Sequence, residues 1–137
     1  MKFMSIFIPA QNPDKAPRPT ADQMAAMGNF AQECFKSGVL LSTEGLMHTS
    51  YGARVRLAGG AFSEANGPFP ATDRVIGGYA ILKTQSREEA IELSKKFLAL
   101  AGDGECELRQ LYEYCPGESC GAVNESSTAD VKAEALA

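Results

Sequence analysis

The amino-acid sequence predicts an α+β domain in which two helices cover one face of a mainly antiparallel sheet. Four segments have the short apolar or alternating patterns of β-strands, and two longer segments repeat apolar residues every three or four positions, as amphipathic helices do. The strand patterns cover residues 2–8, 39–46, 75–83 and 105–114, and the helical patterns cover residues 20–38 and 86–102. A hairpin arm separates the second and third of these strands, and right-handed crossovers would put both helices on one side. The prediction is therefore a ferredoxin-like two-layer sandwich with an inserted hairpin.

Both predicted helices have sequence signals at their ends. Thr20 is a candidate N-cap with Gln23 three residues later, which together form a capping box, and Gly38 ends the helix. The corresponding residues of the second helix are Ser86, Glu89 and Gly102. The predicted core-facing stripes consist of Met24, Met27, Ala31, Cys34 and Phe35 in the first helix and of Ala90, Leu93, Phe97, Leu98 and Ala101 in the second. Two methionines could make the first stripe an adaptable binding surface, although core filling is the commoner use of methionine.

A hairpin arm and a stiff turn follow the second strand. Residues 51–57 alternate, and Gly59-Gly60 favours a two-residue turn into residues 61–64. The residues predicted to face inward are Ala53, Val55 and Leu57, and those predicted to face outward are Arg54 and Arg56. In the turn Asn66-Gly67-Pro68-Phe69, the proline has a fixed φ and keeps the preceding glycine out of the helical region. This turn either has a purely structural role or lets Asn66 and free backbone groups line a pocket.

The strand after this turn contains a pair of glycines, Gly77-Gly78. Glycine inside a strand often marks a point where another backbone or a ligand comes close, because no side chain stands in the way. The sequence therefore predicts that either another backbone segment or a ligand comes close to this pair.

Size and composition are those of one ordinary globular domain. The chain has 137 residues, of which 45% are hydrophobic and 22% charged, and its net charge of −4 speaks against a nucleic-acid partner. The apolar run at the N-terminus ends early at Pro9, and no run approaches the roughly 18 apolar residues of a membrane helix. We therefore expect a cytoplasmic protein with no membrane partner. Residues 1–114 are predicted to form the domain, and residues 115–137 a flexible tail.

The four cysteines favour neither a metal site nor a cofactor. Cys34 and Cys106 lie on apolar faces of predicted elements, where a cysteine is usually a small buried hydrophobe. Cys115 and Cys120 lack a second pair or a nearby histidine, whereas a zinc site needs about four ligands. We expect no metal and no cofactor.

The sheet face without helices predicts self-association. It is expected to carry Phe7, Tyr79 and Ile81 together with Arg54, Arg56 and Arg109. Such a face is too apolar to remain wholly in water and too charged for a core. The sequence therefore predicts a homodimer in which two such faces pack together and leave pockets at the seam.

The stiff turn and its neighbours resemble a known family. Three features are similar to YCII-related proteins, and closest to the branch named for an Asp-Gly-Pro-Phe motif (DGPF), over about residues 2–114. These features are Asn66-Gly67-Pro68-Phe69, the strand containing Gly78-Tyr79, and the strand end Glu44-Gly45-Leu46. The resemblance implies ferredoxin-like subunits in a dimeric α+β barrel with a pocket, and most such proteins have no assigned reaction.

The sequence departs from the longer motif of that branch. The family motif continues Ala-Glu-Thr-Lys-Glu, whereas this chain has Pro70-Ala71-Thr72-Asp73-Arg74 and begins the motif with Asn66 in place of aspartate. Because an amide cannot accept a proton as a carboxylate does, Asn66 is not expected to act as a general base. Relatives in the wider family pair a histidine with an aspartate in a proposed dyad, and no second member of such a pair is evident near His48.

His48, the only histidine, is the default acid/base candidate because imidazole titrates near neutral pH. Glu44 precedes it by four residues, but in an extended segment the two would be more than roughly 10 Å apart, so contact requires a bend at Gly45. The alternative is a histidine that faces solvent from a loop. Arg54 and Arg56 share a face on which they could hold a carboxylate or phosphate, or they are simply solvated or ion-paired.

A small anion is the ligand expected at this site. The predicted constellation consists of His48 as the catalytic candidate and, for binding, Arg54, Asn66, Gly67, Pro68, Phe69, Arg74 and Tyr79. Two classes of function remain open. One is a ligand-binding homodimer without catalysis, favoured by the missing acidic motif positions. The other is a small metal-independent acid/base enzyme, of isomerase or lyase type, that uses His48.

Overall fold

Residues 1–70 and 74–113 are described by the computed structural model of the chain. The strands are β1 (Lys2–Pro9), β2 (Leu40–Gly45), β3 (Ala53–Ala58), β4 (Ala61–Asn66), β5 (Gly78–Lys83) and β6 (Gly104–Gln110). The helices are α1 (Ala21–Ser37) and α2 (Arg87–Ala101), and a 3₁₀ turn at Thr49–Tyr51 precedes β3. The elements follow the predicted order, although Tyr51 ends the 3₁₀ turn instead of starting a strand. The predicted tail, with Cys115 and Cys120, lies outside the described residues.

Four strands form an antiparallel sheet, the main sheet, in the order β2-β5-β1-β6. This order, with a helix after β1 and another after β5, is consistent with a ferredoxin-like fold and confirms the predicted α+β architecture. Gly78 allows β5 to approach β2, because a Cβ at this position would lie 2.8 Å from the carbonyl oxygen of Glu44. The close neighbour predicted for this glycine is thus the backbone of β2.

The core lies between the main sheet and the two helices. Its buried members come from three strands and both helices, and they are Phe3, Cys34, Leu40, Leu82 and Ala90. Phe7 belongs to the same side, since its ring packs edge-on against Phe97 of α2 with the ring centroids 5.2 Å apart. The prediction that Phe7 lies on the helix-free face is therefore wrong. Side chains alternate along a strand, so Phe7 shares the face of Phe3.

The helix-free face of the main sheet is formed by the alternate residues of its strands. Met4 lies opposite Ile81 and Arg109 on the two neighbouring strands, and Ile6 lies opposite Tyr79. The prediction placed Tyr79, Ile81 and Arg109 on this face, and the strand register agrees. These apolar side chains are half-buried within the single chain.

The start of α1 follows its predicted signal only in part. Thr20 caps the helix by accepting a hydrogen bond from the Gln23 N–H at 3.1 Å. The Gln23 side chain does not close a capping box, because its amide donates to the carbonyls of Leu100 and Ala101 at the end of α2. The predicted capping residue thus joins the two helices. Gly38 ends α1 with a φ of 83°, as predicted.

The apolar stripe of α1 differs from the predicted one. Met24 is 62% exposed and Phe35 is also exposed, whereas Phe30, outside the predicted stripe, packs against the core. A stripe chosen by spacing alone covers a wider arc than the part of the helix that contacts the sheet. Neither helix in the described ranges is long and apolar enough to cross a membrane.

Strands β3 and β4 form a separate two-stranded antiparallel sheet, which we call the arm (residues 53–66). Gly59 and Gly60, with φ values of 57° and 80°, form its turn, as predicted. Every residue of both strands is exposed. Val55, Leu57 and Phe62 therefore present an apolar surface to solvent, and Phe62 is 76% exposed.

The arm corrects two predictions about which way its side chains face. Ala53, Val55 and Leu57, predicted to face inward, are all exposed within this chain. Arg54 and Arg56 lie on the arm and not on the helix-free face of the main sheet. Both predictions were wrong because a period of two fixes which residues share a face, but not what covers that face.

Candidate functional site

Three separate parts of the chain meet at Thr49. This residue is buried, and its hydroxyl donates to Asp14 Oδ2 and accepts from the Phe69 N–H at 2.9 Å. Its own N–H donates to Asp14 Oδ1, also at 2.9 Å. Thr49 thereby joins the loop after β1, the 3₁₀ turn and the turn after β4. We call this cluster the Thr49 junction.

Asp14 is the carboxylate of the Thr49 junction. Its side chain is only 8% exposed, yet both of its oxygens accept hydrogen bonds from Thr49. The Thr49 hydroxyl is the main cause that lowers the pKa of Asp14, burial opposes it, and the Thr49 N–H and the nearby His48 lower it further. Asp14 is therefore a buried, ionised and firmly held carboxylate at neutral pH.

His48 caps the 3₁₀ turn with its ring. The Ser50 N–H donates to His48 Nδ1 at 3.1 Å, and the Ser50 hydroxyl oxygen lies 2.8 Å from the same nitrogen. Asp14 Oδ1 lies 3.9 Å from Nδ1, whereas the imidazole side chain is 44% exposed. The ring therefore has one nitrogen on the side of Ser50 and Asp14, and Nε2 on the opposite side.

Asp14 was missed by sequence analysis, which considered only Glu44 as a carboxylate for His48. Glu44 lies on β2 opposite Tyr79, while Asp14 comes from the proline-rich loop 34 positions before His48. The Asp14 N–H donates to Asn12 Oδ1 at 2.8 Å, so Asn12 forms a tight turn, and the Asn-Pro pair is a recognised turn signal. That signal locates a turn but does not indicate which distant residue it contacts.

Gly67 brings the predicted stiff turn against the Thr49 junction. Its N–H donates to the Gly52 carbonyl at 3.0 Å, and a Cβ at Gly67 would lie 1.7 Å from the Thr49 carbonyl oxygen. Glycine is required here because a side chain has no space, and not because of the backbone conformation, since the φ of Gly67 lies outside the left-handed region. The Gly67-Pro68 peptide bond is cis, Pro68 is exposed, and Asn66 is exposed at the end of β4.

Arg54 reaches the same place from the arm. Its guanidinium carbon lies 4.0 Å from the centroid of the Phe69 ring, a cation–π contact. Phe69 is half-buried, and its N–H is the group bonded to the Thr49 hydroxyl. The Arg54 guanidinium thereby lies against a residue of the Thr49 junction.

Of the remaining predicted residues, Tyr79 lies in the main sheet and Arg74 in the segment before β5. Arg74 forms an ion pair with Glu105 at the start of β6, with N and O 2.7 Å apart, and the hydrogen bond to Glu105 raises the pKa of Arg74. Its charge is thus already balanced. Tyr79 lies in β5 opposite Ile6. The structure therefore brings His48, Arg54, Gly67 and Phe69 to the Thr49 junction, and places Arg74 beside Glu105.

The described residues contain neither a metal site nor an activated thiol. No group of three or more His, Cys, Asp or Glu side chains in residues 1–70 and 74–113 could hold a metal ion. Burial raises the pKa of the Cys34 and Cys106 thiols, so neither is a ready nucleophile.

Comparison with known proteins identifies a family. No curated protein matches the chain. A family model described as the YCII-related domain matches residues 1–114, which include every element described above. With this match over most of its length, the chain belongs to the YCII-related family.

Proposed function

We propose that this protein binds a small anionic molecule beside His48 and Arg54. The observation that carries the proposal is the arrangement of charge at the Thr49 junction. The Asp14 carboxylate is turned inward and satisfied by Thr49, while His48 is 44% exposed and Arg54 is exposed above Phe69. The exposed imidazole and the nearby guanidinium both carry nitrogen donors, which suit carboxylate or phosphate oxygens.

We further propose that the binding unit is a homodimer with the site at the subunit seam. The arm supports this, because a two-stranded hairpin is marginally stable by itself in water and its apolar surface is exposed. A second copy that covers Val55, Leu57 and Phe62 would close the region around Arg54. The turn Asn66-Gly67-Pro68-Phe69 supports membership of the DGPF branch, whose resemblance implies such a dimer.

Thermal unfolding in the presence of simple anions tests the binding proposal. Acetate, pyruvate and inorganic phosphate are compared with chloride at equal ionic strength, and one of the three is expected to raise the melting temperature. A ligand at a hundredfold excess over its Kd stabilises by about 2.7 kcal/mol. His48→Ala and Arg54→Ala are expected to lose this effect, and Arg87→Ala, which removes an exposed charge on α2, to keep it.

Two results would contradict the proposal. One is the absence of stabilisation by all three anions. The other is an equal loss in Arg87→Ala, which would show that only the net charge matters. Light scattering on the same samples measures the oligomer, and a monomer at every concentration would exclude the seam.

A second candidate, an acid/base enzyme, is favoured by the Asp14 carboxylate 3.9 Å from His48 Nδ1. The family resemblance implies such a histidine–aspartate pair. Small acids with an exchangeable C–H, such as pyruvate and acetoacetate, are incubated with the protein in D₂O, and deuterium incorporation is followed by NMR. Exchange above the buffer rate that disappears in His48→Ala and falls in Asp14→Asn supports the enzyme. Binding without any exchange supports the non-catalytic protein.

A further inference from the structure

We propose that neutral His48 carries its proton on Nε2 and so offers the bound molecule a hydrogen-bond donor and not a base. The inference rests on the proposed function for the location of the site and adds the chemistry of the contact. The atom of the bound anion that meets His48 is an acceptor oxygen.

The Ser50 backbone determines which ring nitrogen is protonated. Its N–H donates to His48 Nδ1 at 3.1 Å. A backbone N–H can only donate, whereas a neutral imidazole has one donor nitrogen and one acceptor nitrogen. Nδ1 is therefore the acceptor, and the proton lies on Nε2. The Ser50 hydroxyl, 2.8 Å from Nδ1, can donate to the same nitrogen and is compatible with this tautomer.

Asp14 is too far from the ring to impose the opposite tautomer. In a Ser-His-Asp triad the carboxylate accepts a hydrogen bond from Nδ1–H, which leaves Nε2 free to act as a base. Here Asp14 Oδ1 is 3.9 Å from Nδ1, longer than a hydrogen bond, and both Asp14 oxygens are bonded to Thr49. Asp14 therefore accepts no hydrogen bond from the His48 ring.

The donor nitrogen is directed away from Ser50 and Asp14. Nδ1 lies toward Ser50 and Asp14, so Nε2, on the other side of the ring, is directed away from them, and the side chain is 44% exposed. A donor in this position pairs with a carboxylate, carbonyl or phosphoryl oxygen, and an ammonium group is rejected because it offers only donors.

The tautomer is measured directly on the protein without any ligand. His48 is the only histidine, so every signal from ¹⁵N-histidine belongs to it. Long-range ¹H–¹⁵N spectra are recorded at about pH 9, above the range in which imidazole titrates. The folded protein is expected to contain more of the Nε2–H tautomer than the same chain unfolded in guanidinium chloride. A folded ratio equal to the unfolded one, or shifted toward Nδ1–H, overturns the inference.

Ser50→Ala is the matched variant for this measurement. It removes the hydroxyl but retains the backbone N–H that donates to Nδ1. The Nε2–H tautomer is expected to persist, and its loss would overturn the role given to the backbone. Because no ligand takes part, this result is independent of whether the proposed function holds.

Two amide substitutions test the donor in the bound state, with acetate and inorganic phosphate as probes. His48→Gln places an NH₂ group near the position of Nε2, whereas His48→Asn places one near Nδ1. We expect His48→Gln to retain the wild-type Kd within about threefold and His48→Asn to weaken it about tenfold, the equivalent of one hydrogen bond. Equal losses in the two variants overturn the inference. Absence of binding by the wild-type protein instead contradicts the proposed function.

Discussion

The main sheet and the arm are built from similar strand patterns but differ in how they are covered. In the main sheet, Phe3 and Leu82 alternate with partly exposed residues and lie buried beneath the helices. In the arm, Val55, Leu57 and Phe62 alternate in the same way and remain exposed. The difference shows that alternation creates an apolar face, whereas burial depends on whether another element lies over it.

The Thr49 junction lies where these two regions meet. Its contacts come from the loop after β1 and the 3₁₀ turn on one side and from the turn after β4 on the other. The body of the domain therefore supplies the carboxylate and the imidazole, and the arm supplies the guanidinium. The relative position of these groups therefore depends on how rigidly the Thr49 junction holds the arm against the body of the domain.

The largest expected effect on stability comes from a substitution at the Thr49 junction. Gly67→Ala places a methyl group 1.7 Å from the Thr49 carbonyl oxygen, so the backbone must move. We expect a loss of about 4 kcal/mol or more in the free energy of unfolding, measured by urea denaturation. Gly28→Ala is the control, since no atom lies within 4 Å of a Cβ there, and it is expected to stabilise α1 by up to about 1 kcal/mol. Similar effects for the two variants would mean that the arm is not fixed to the body at Gly67.

A direct comparison of the two regions uses the same substitution in each. Leu82→Ala removes a buried side chain and is expected to lower the free energy of unfolding by about 2–5 kcal/mol. Leu57→Ala is expected to change it by less than about 0.5 kcal/mol in dilute solution, because Leu57 is exposed. If the arm is covered by a second copy, the Leu57→Ala effect will increase with protein concentration. A large effect that is independent of concentration would contradict the exposed arm.

A smaller effect concerns Asp14, which makes the stability of the Thr49 junction depend on pH. The fold lowers the pKa of Asp14, so its contribution to stability is complete above the ordinary aspartate value of about 3.9 and is lost as the pH falls through the lower, folded value. Asp14→Asn cannot titrate. Its melting temperature is therefore expected to fall less between pH 7 and pH 3 than that of the wild type. Parallel curves for the two proteins would show that Thr49 does not hold the ionised carboxylate.

The smallest expected effect is the coupling energy between Arg54 of the arm and Phe69. The contact of Arg54 with the Phe69 ring is exposed, and such contacts contribute about 0.5–1 kcal/mol. A double-mutant cycle with Arg54→Met and Phe69→Leu is expected to give a coupling energy of this size. The same cycle with Arg56→Met in place of Arg54→Met is expected to give none. Equal couplings would mean that the ring does not distinguish the two arginines.

Several features of the fold could be predicted because their causes are local. Thr20 and Ser86 were identified as helix caps, and each accepts a hydrogen bond from the N–H three residues later. Gly59-Gly60 was identified as a hairpin turn because its backbone needs positive φ values. The exposed Met24 was mistaken for a core residue, because spacing along a helix does not show how far the sheet extends beneath it.

The candidate site was only partly predictable. His48, Gly67 and Phe69 stood out by residue type and by the unusual turn, and the structure brings them to one junction. Asp14 and Thr49 did not stand out, because one lies in a proline-rich loop and the other is an ordinary threonine. They matter because of the hydrogen bonds between them, and no local sequence pattern predicts a contact between such distant positions.

The sequence by itself determined the succession of strands and helices, the turns between them and the residues that share each strand face. These depend on dihedral preferences and side-chain periodicity within a few neighbouring positions. Only the tertiary structure decided that Asp14 lies beside His48, that Arg54 stacks on Phe69 and that the arm stands apart from the main sheet. Contacts between distant segments depend on how all the elements pack together, because no local preference specifies which loop will close against which.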